Sequence, residues 1–240
     1  MKTELIRLDK ALADQGTVTR SQARELITKG LVTVNGLTLR DAAAKLCRET
    51  DTVVVNGKPL ALQKHCYLLL NKPAGVVSAT EDARDRTVLE LVPPALWRKG
   101  LFPAGRLDKD TTGMLILTDD GDFAHRILAP KSHVDKTYLA TLDKPVTAEM
   151  KAAFDGGIQL KDEKKCMPAA LSILDTCTAK VVIHEGMYHQ IKRMFGCFGA
   201  KVLSLHRIAI GSLALEATLA PGDCRPLTAD ELSKIEEKSS

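Results

Sequence analysis

The alternation of apolar and polar positions changes period several times along the chain. Leu5, Leu8 and Leu12 recur at the spacing of one helical face and predict a short helix near the N-terminus. Thr19 with Gln22 forms a capping-box pattern, and Val18 stands where a hydrophobic staple would sit, so a second helix should begin at Arg20. It presents Arg20 and Arg24 one turn apart and stops at Lys29-Gly30, where glycine suits a C-terminal cap. LVTVNGLTL (31–39) places β-rich runs on either side of Asn35-Gly36, a type I′ hairpin signal. A second Asn-Gly, at 56–57, follows the strand-like DTVVV. Two short helices and two hairpins are therefore expected in a first domain over residues 1–62, with KPLALQKHC (58–66) as a linker into a second domain over 63–240.

From Tyr67 the pattern changes. YLLLNKP, MLILT, KTYLATL, KVVIHE and KVLSLHR are strand-like, separated by turns and two or three short helices, which is an α+β pattern with a sizeable sheet. EGMYHQIKRMFGCFG reads as a helix with Ile191, Met194, Phe195 and Phe198 along one face. Lys192 sits at the edge of that stripe, with His189 and Arg193 on the opposite face. There is no internal repeat, and the tail ELSKIEEKSS is expected to fray.

Composition changes this picture in two ways. An apolar fraction of 45% and a charged fraction of 27% are those of an ordinary soluble chain, and no apolar run approaches the length of a membrane span. The opening MKTELIRLDKAL lacks the apolar region of a signal peptide, and the six cysteines include no CxxC pair, so a cytoplasmic protein with reduced thiols is expected. The formal net charge is +4, and residues 1–62 carry ten Lys/Arg against seven Asp/Glu, so +3 of it lies in the first quarter. Such a balance favours an anionic partner, although a solvated basic surface would look the same.

The chemistry concentrates in AGRLDKDTTGMLILTDDGD (104–122). Asp108, Asp110, Thr112, Gly113 and Asp119 occupy positions 1, 3, 5, 6 and 12 of a calcium-loop pattern, but Pro103 and Gly105 precede it and a β-like run follows, so the flanking helices are missing. DKDTTG also approaches the loop of aspartyl-phosphate enzymes, yet the order after the lysine differs and no doubly wound setting accompanies it. A third reading is a single buried carboxylate beside a cation and an aromatic wall. Gly105 and Gly113 would permit a tight backbone around Asp108, and Tyr138 on its strand could project into a cleft. Lys192 is either a snorkelling surface residue or a partly buried cation that needs a carboxylate.

Two resemblances sharpen the third reading. RLDKAL (7–12), SQARELITKGLVTVNG (21–36) and DTVVVNG (51–57) resemble the small RNA-binding domain named after ribosomal protein S4. That likeness implies phosphate contacts from Arg7, Lys10, Arg20, Arg24 and Lys29, which need only well-placed cations on a rigid element. LLLNKPAGVVS, GRLDKDTTGMLILTDDG, KTYLATL, EGMYHQIKRMF and LHRIAIGSLAL look like the RsuA family of pseudouridine synthases over nearly the whole chain. The resemblance implies a catalytic domain on a mainly antiparallel sheet, with Asp108 as catalytic aspartate, Tyr138 stacked on the target base and Lys192 paired with Asp108. By the same comparison Asp110 supports the turn through local hydrogen bonds. Arg106 is expected either to help hold the nucleotide or to form a structural ion pair, and His189 and Arg193 are expected to bind RNA.

The implied reaction is isomerisation of uridine to pseudouridine in ribosomal RNA. The expected substrate is 16S rRNA in an assembling small subunit, with 23S rRNA as the alternative. It calls for no cofactor or metal, and a monomer without membrane association is expected. The carboxylate could attack the sugar, stabilise an oxocarbenium-like state or abstract the sugar C2 proton, and the sequence does not choose among these. Two other classes compete: a non-catalytic RNA-binding assembly factor, and a glycoside hydrolase with Asp119 or Glu185 as its second carboxylate.

Overall fold

The computed structural model describes residues 5–129, 134–160 and 165–237. The chain forms two compact units, one of Met1–Cys66 with Pro93–Leu101 and one of Tyr67–Val92 with Phe102–Ser240. The return of 93–101 to the first unit has no signal in the linear pattern.

In the first unit β1 (Leu5–Arg7) precedes α1 (Leu8–Ala13) and α2 (Arg20–Thr28). Leu5 does not share the helical face expected of it. It lies in β1 with 58% of its surface exposed, because residues 5–7 pair antiparallel with a later strand, and only Leu8 and Leu12 are buried. The α2 capping box is present: Gln22 N donates to Thr19 Oγ1 at 3.2 Å and Thr19 N to Gln22 Oε1 at 2.8 Å. Val18 packs against the cluster that holds Ala23 and Ile27. The strands β2 (Val32–Val34), β3 (Leu37–Thr38), β4 (Lys45–Cys47), β5 (Val53–Val55) and β6 (Lys58–Leu60) complete the unit. β4 is the partner of β1, and the others form a four-stranded sheet in the order β3-β2-β5-β6. Asn35 and Asn56 have φ near 51°, each followed by a glycine at positive φ, which is the I′ geometry of both Asn-Gly turns. The second turn folds Lys58–Leu60 back onto β5, so these residues are sheet and not linker.

The second unit contains β7 (Tyr67–Lys72), a 3₁₀ turn at Val88–Leu91, β8 (Phe102–Pro103), β9 (Thr112–Thr118), α3 (Gly121–Leu128) and β10 (Lys136–Leu142). There follow α4 (Ala148–Gly156), β11 (Ala170–Ile173), β12 (Thr178–Ile183), α5 (Gln190–Gly196), β13 (Val202–Ile210), β14 (Leu213–Ala214), β15 (Cys224–Pro226) and α6 (Ala229–Glu236). The sheet runs β11-β12-β10-β13-β9-β7-β15, with β14 on β13 and β8 on β9. Every pairing is antiparallel except β13 with β9, so the mainly antiparallel α+β expectation stands.

Phe123 and Ile127 of α3 and Ile235 of α6 bury one flank of the sheet against Leu69, Met114 and Ile116. Phe154 of α4 meets Phe195 of α5 at 4.8 Å between ring centroids. Four α-helices are thus present among the described residues of this unit, against the two or three expected. The extra one is α6: Thr228 and Glu231 form a capping box and Ile235 is fully buried, so the tail is ordered through Glu237 where fraying was expected. Its last three residues lie outside the described ones. Among the described residues no helix is long and apolar enough to cross a membrane.

Candidate active site

The Asp108 loop is fastened from beneath. Lys72 is wholly buried, and its Nζ donates to the carbonyls of Pro73 (3.1 Å), Asp108 (3.0 Å), Lys109 (3.3 Å) and Thr111 (2.8 Å). Burial pushes this ammonium down to about 8, and the carbonyl oxygens supply the acceptors that its charge requires. Ser78 Oγ donates to Leu107 O and accepts from Leu107 N, both at 3.0 Å. The loop then enters β9 through Gly113 at φ 101°, where a Cβ would lie 2.3 Å from the Arg207 carbonyl. Only glycine allows β9 to approach β13 this closely, and the approach forms the parallel Arg207↔Gly113 contact. Leading into a strand, the loop has none of the helix–loop–helix context of a calcium site.

Asp108 faces Lys192 across this junction. Lys192 Nζ lies 3.0 Å from Asp108 Oδ2 and 2.5 Å from Asp110 Oδ1. Burial disfavours the ammonium, but its hydrogen bonds to Asp110 and Asp108 outweigh that, and its pKa is raised. The Asp110 carboxyl is held below its usual range, first by the hydrogen bond from Lys192. The two acids differ in setting: the Asp108 side chain is 27% exposed and that of Asp110 74%. Asp110 was expected to support the turn through local hydrogen bonds; its carboxylate accepts from its own backbone and also reaches Lys192.

The segment around α5 explains how Lys192 arrives there. Ile191, Met194 and Phe195 are buried, which turns Lys192 toward the loop at the edge of the apolar stripe. His189 was expected on the helix face opposite the apolar stripe. It lies just before the helix in the left-handed region, φ 48°, which swings its Nε2 to 3.5 Å from Asp108 Oδ1. A non-glycine residue in that conformation carries strain, and periodicity extended past the helix start cannot foresee it. Arg193 Nη1 donates to Tyr188 O at 3.3 Å.

Tyr138 stands on β10 opposite Arg207 of β13 and is 7% exposed. Arg207, itself buried, donates from Nε to Met114 O at 2.6 Å and from Nη1 to Tyr138 Oη at 3.3 Å. Its guanidinium carbon lies 5.8 Å from the Tyr138 ring centroid, within cation–π range. Its Nη2 is buried without a hydrogen-bond partner. Sequence reasoning singled out neither Arg207 nor Lys72, although both fall inside quoted motifs. An ionisable residue in an otherwise apolar strand is the signal that would have found them.

These groups surround a pocket of about 380 Å³ that Asp108, Lys192, Tyr138, His189, Tyr188 and Arg106 help to line. Arg106 is exposed, with no ion-pair partner among the described residues. Asp119 and Glu185, the candidate second carboxylates, do not line it; Glu185 Oε1 accepts from Met167 N and Gln190 Nε2. Among the described residues no cluster of His, Cys, Asp and Glu is placed to hold a metal ion.

In the first unit Arg7, Arg20 and Arg24 converge on Asp9, whose carboxylate is fully buried, at 3.0, 3.2 and 3.0 Å. The three side chains remain 42–55% exposed, so one buried acid arranges a solvent-facing guanidinium cluster. The carboxyl of Asp9 is held well below its usual range, first by the hydrogen bond from Arg7 and against the cost of burial. Lys29 pairs with Glu25 at 2.6 Å, and Lys10 is exposed.

Comparison with known proteins gives these arrangements a lineage. The S4 domain profile matches residues 6–53, and that of the RNA pseudouridylate synthase family matches residues 66–196. The chain is 45% identical over 234 residues to "Ribosomal small subunit pseudouridine synthase A" of Escherichia coli (strain K12), covering 96% of this chain and 100% of that protein. It is 40% identical over 236 residues to an uncharacterised RNA pseudouridine synthase of Bacillus subtilis (strain 168), covering 97% and 99%. A solved structure described as "Crystal structure of pseudouridylate synthase" superposes with a TM-score of 0.67 at 40% identity, over 96% of this chain and 99% of that one. With an S4 domain ahead of the Asp108 pocket, the chain belongs to the RNA pseudouridylate synthase family of isomerases.

Proposed function

We propose that this protein converts uridine to pseudouridine in the ribosomal RNA of the small subunit, with Asp108 as the catalytic carboxylate. One observation carries the assignment of the acid: of the two loop aspartates, Asp108 lines the pocket with Tyr138 while Lys192 pairs with it at 3.0 Å. The choice of the small subunit rests on what the Escherichia coli relative is named for.

The reaction is a balanced isomerisation. The bond from the sugar to uracil N1 breaks, the base turns, and the sugar carbon bonds to C5; C5 loses a proton and N1 gains one. Nothing is oxidised or reduced. Asp108 acts at the sugar, where an anionic oxygen serves the electron-poor carbon that forms as N1 departs. Lys192, 3.0 Å from Asp108 Oδ2, sets a fixed positive charge beside the carboxylate as it acts. Tyr138 replaces the stacking the base loses when it leaves the RNA, and Arg207 fixes the ring by its hydroxyl and face. Arg106 at the rim, with His189 and Arg193, serves the phosphates of the extruded nucleotide.

The first unit anchors the RNA. Arg7, Lys10, Arg20, Arg24 and Lys29 present cations on a rigid frame, and such contacts set register without reading bases. The enzyme works where ribosomes are assembled, in the cytoplasm. Incubating it with small-subunit and large-subunit rRNA and mapping pseudouridine tests the reading. A new pseudouridine at a defined position of the small-subunit RNA is expected; modification of the large-subunit RNA alone would reassign the substrate, and none in either would reject the activity.

A further inference from the structure

Tyr188 is 74% exposed, although it is a large aromatic side chain at the mouth of the pocket. Its ring stacks on that of His189 with centroids 3.8 Å apart and planes 20° from parallel. His189 is the inner member of the pair, since its Nε2 reaches Asp108. Among the described residues His189 is the one ring stacked on Tyr188, and the left-handed backbone at His189 sets the pair beside the pocket. The Tyr188 carbonyl is tied down by Arg193 Nη1, and Arg106, another rim residue, lacks an ion-pair partner among the described residues. A solvent-facing aromatic ring supported by a second ring, with one guanidinium on its backbone carbonyl and another lining the same pocket, has the chemistry of a single-stranded nucleic-acid platform. The catalytic reading does not use it, because the wall assigned to the target base is Tyr138.

We propose that Tyr188, backed by His189, is a second stacking platform that holds the nucleobase immediately next to the target uridine. This rests on the proposed function and adds a residue that positions the RNA strand. Extruding one nucleotide exposes a face of its neighbour, and a ring at the pocket mouth covers that face. Stacking there would secure the strand in its opened form and position the sugar of the target over Asp108. Because stacking accepts any base, the platform would contribute to binding without selecting a base at that position.

The test uses short single-stranded RNAs with one uridine and a 2-aminopurine on its 5′ or its 3′ side, bound to Asp108→Asn protein so that no product forms. Fluorescence of the probe on one of the two sides should be quenched on binding. Adding Tyr188→Ala should remove that quench, and Tyr188→Phe should retain it. Equal quenching in the alanine variant, or none on either side, would overturn the platform. This readout needs binding alone, so it fails separately from the assignment of activity, which depends on mapped product. On small-subunit rRNA, Tyr188→Ala should raise KM by about tenfold, the scale of one lost base stack, with a smaller effect on kcat. A loss confined to kcat would contradict a positioning role.

Discussion

Lys192 Nζ bridges Asp108 and Asp110, at 3.0 Å from the half-buried carboxylate and 2.5 Å from the exposed one. The shorter contact is to the acid that we do not hold catalytic. An exposed ion pair contributes little, whereas a cation beside a carboxylate that must work in a dehydrated pocket contributes much more. Lys192→Met should therefore lower kcat by about a hundredfold, the scale of removing one preorganised charged donor, and Lys192→Arg should recover most of it. Steady-state kinetics on small-subunit rRNA would decide; a methionine variant with unchanged kcat would place Lys192 outside the chemistry. Because the lysine pKa is raised, its charge persists below the ordinary value of 10.5 and is lost only as pH rises beyond it. Activity should accordingly show no alkaline decline from Lys192 between pH 7 and pH 9.

Tyr138→Ala should weaken the bound, extruded state by about 1–3 kcal/mol, the range for one base stacked on an aromatic ring. Tyr138→Phe keeps the ring and loses the hydroxyl that accepts from Arg207 Nη1. If phenylalanine proves as damaging as alanine in single-turnover assays, the hydroxyl takes part in proton transfer and stacking is not its main work. Retained activity in Tyr138→Phe is the expected result.

The Asp9 cluster makes the first unit acid-sensitive. Asp9 has a folded pKa depressed below its ordinary value of 3.8, so the stability it contributes is present above that value and is lost as pH falls below it. Asp9→Asn should destabilise the unit by about 2 kcal/mol, the worth of charge-assisted hydrogen bonds, and should flatten its stability profile below pH 4. Melting curves from pH 2 to pH 7 would show this. The variant should also weaken RNA binding, because the arginines lose their common anchor. Replacing Arg20 or Arg24 by glutamine should reduce the salt dependence of binding by about one counterion each. An unchanged slope would return them to ordinary solvated helix charges.

The distribution of what the sequence disclosed follows physical lines. Five of the nine catalytic-domain strands were legible because apolar runs bounded by turns have few other uses, and KTYLATL matches β10 residue for residue. Both Asn-Gly hairpins were legible because few dipeptides tolerate two consecutive positive φ angles. Leu5 was misread because a three-residue edge strand and the start of a helix share one pattern when the pairing partner lies forty positions on. α6 was missed because its charges suggested a solvated tail, while one buried Ile235 and the Arg126–Glu236 pair at 2.7 Å hold it to α3. In the site, Asp108, Tyr138 and Lys192 came from motif resemblance, and their convergence on one pocket depends on Gly113 admitting the β9–β13 contact. His189 turned inward through a single left-handed residue, which no periodicity encodes.

The most direct measurement compares wild-type, Asp108→Asn and Asp110→Asn proteins on small-subunit rRNA, with pseudouridine mapped at single-nucleotide resolution. Both substitutions remove one carboxylate charge beside Lys192, so they differ only in which acid is lost. Asp108→Asn should fold, bind RNA with nearly unchanged affinity and form pseudouridine about a thousandfold more slowly, or not at all. Asp110→Asn should retain activity within a factor of about five, as expected for an exposed ion pair. Activity surviving in Asp108→Asn, or the larger loss falling on Asp110→Asn, would contradict the assignment of Asp108.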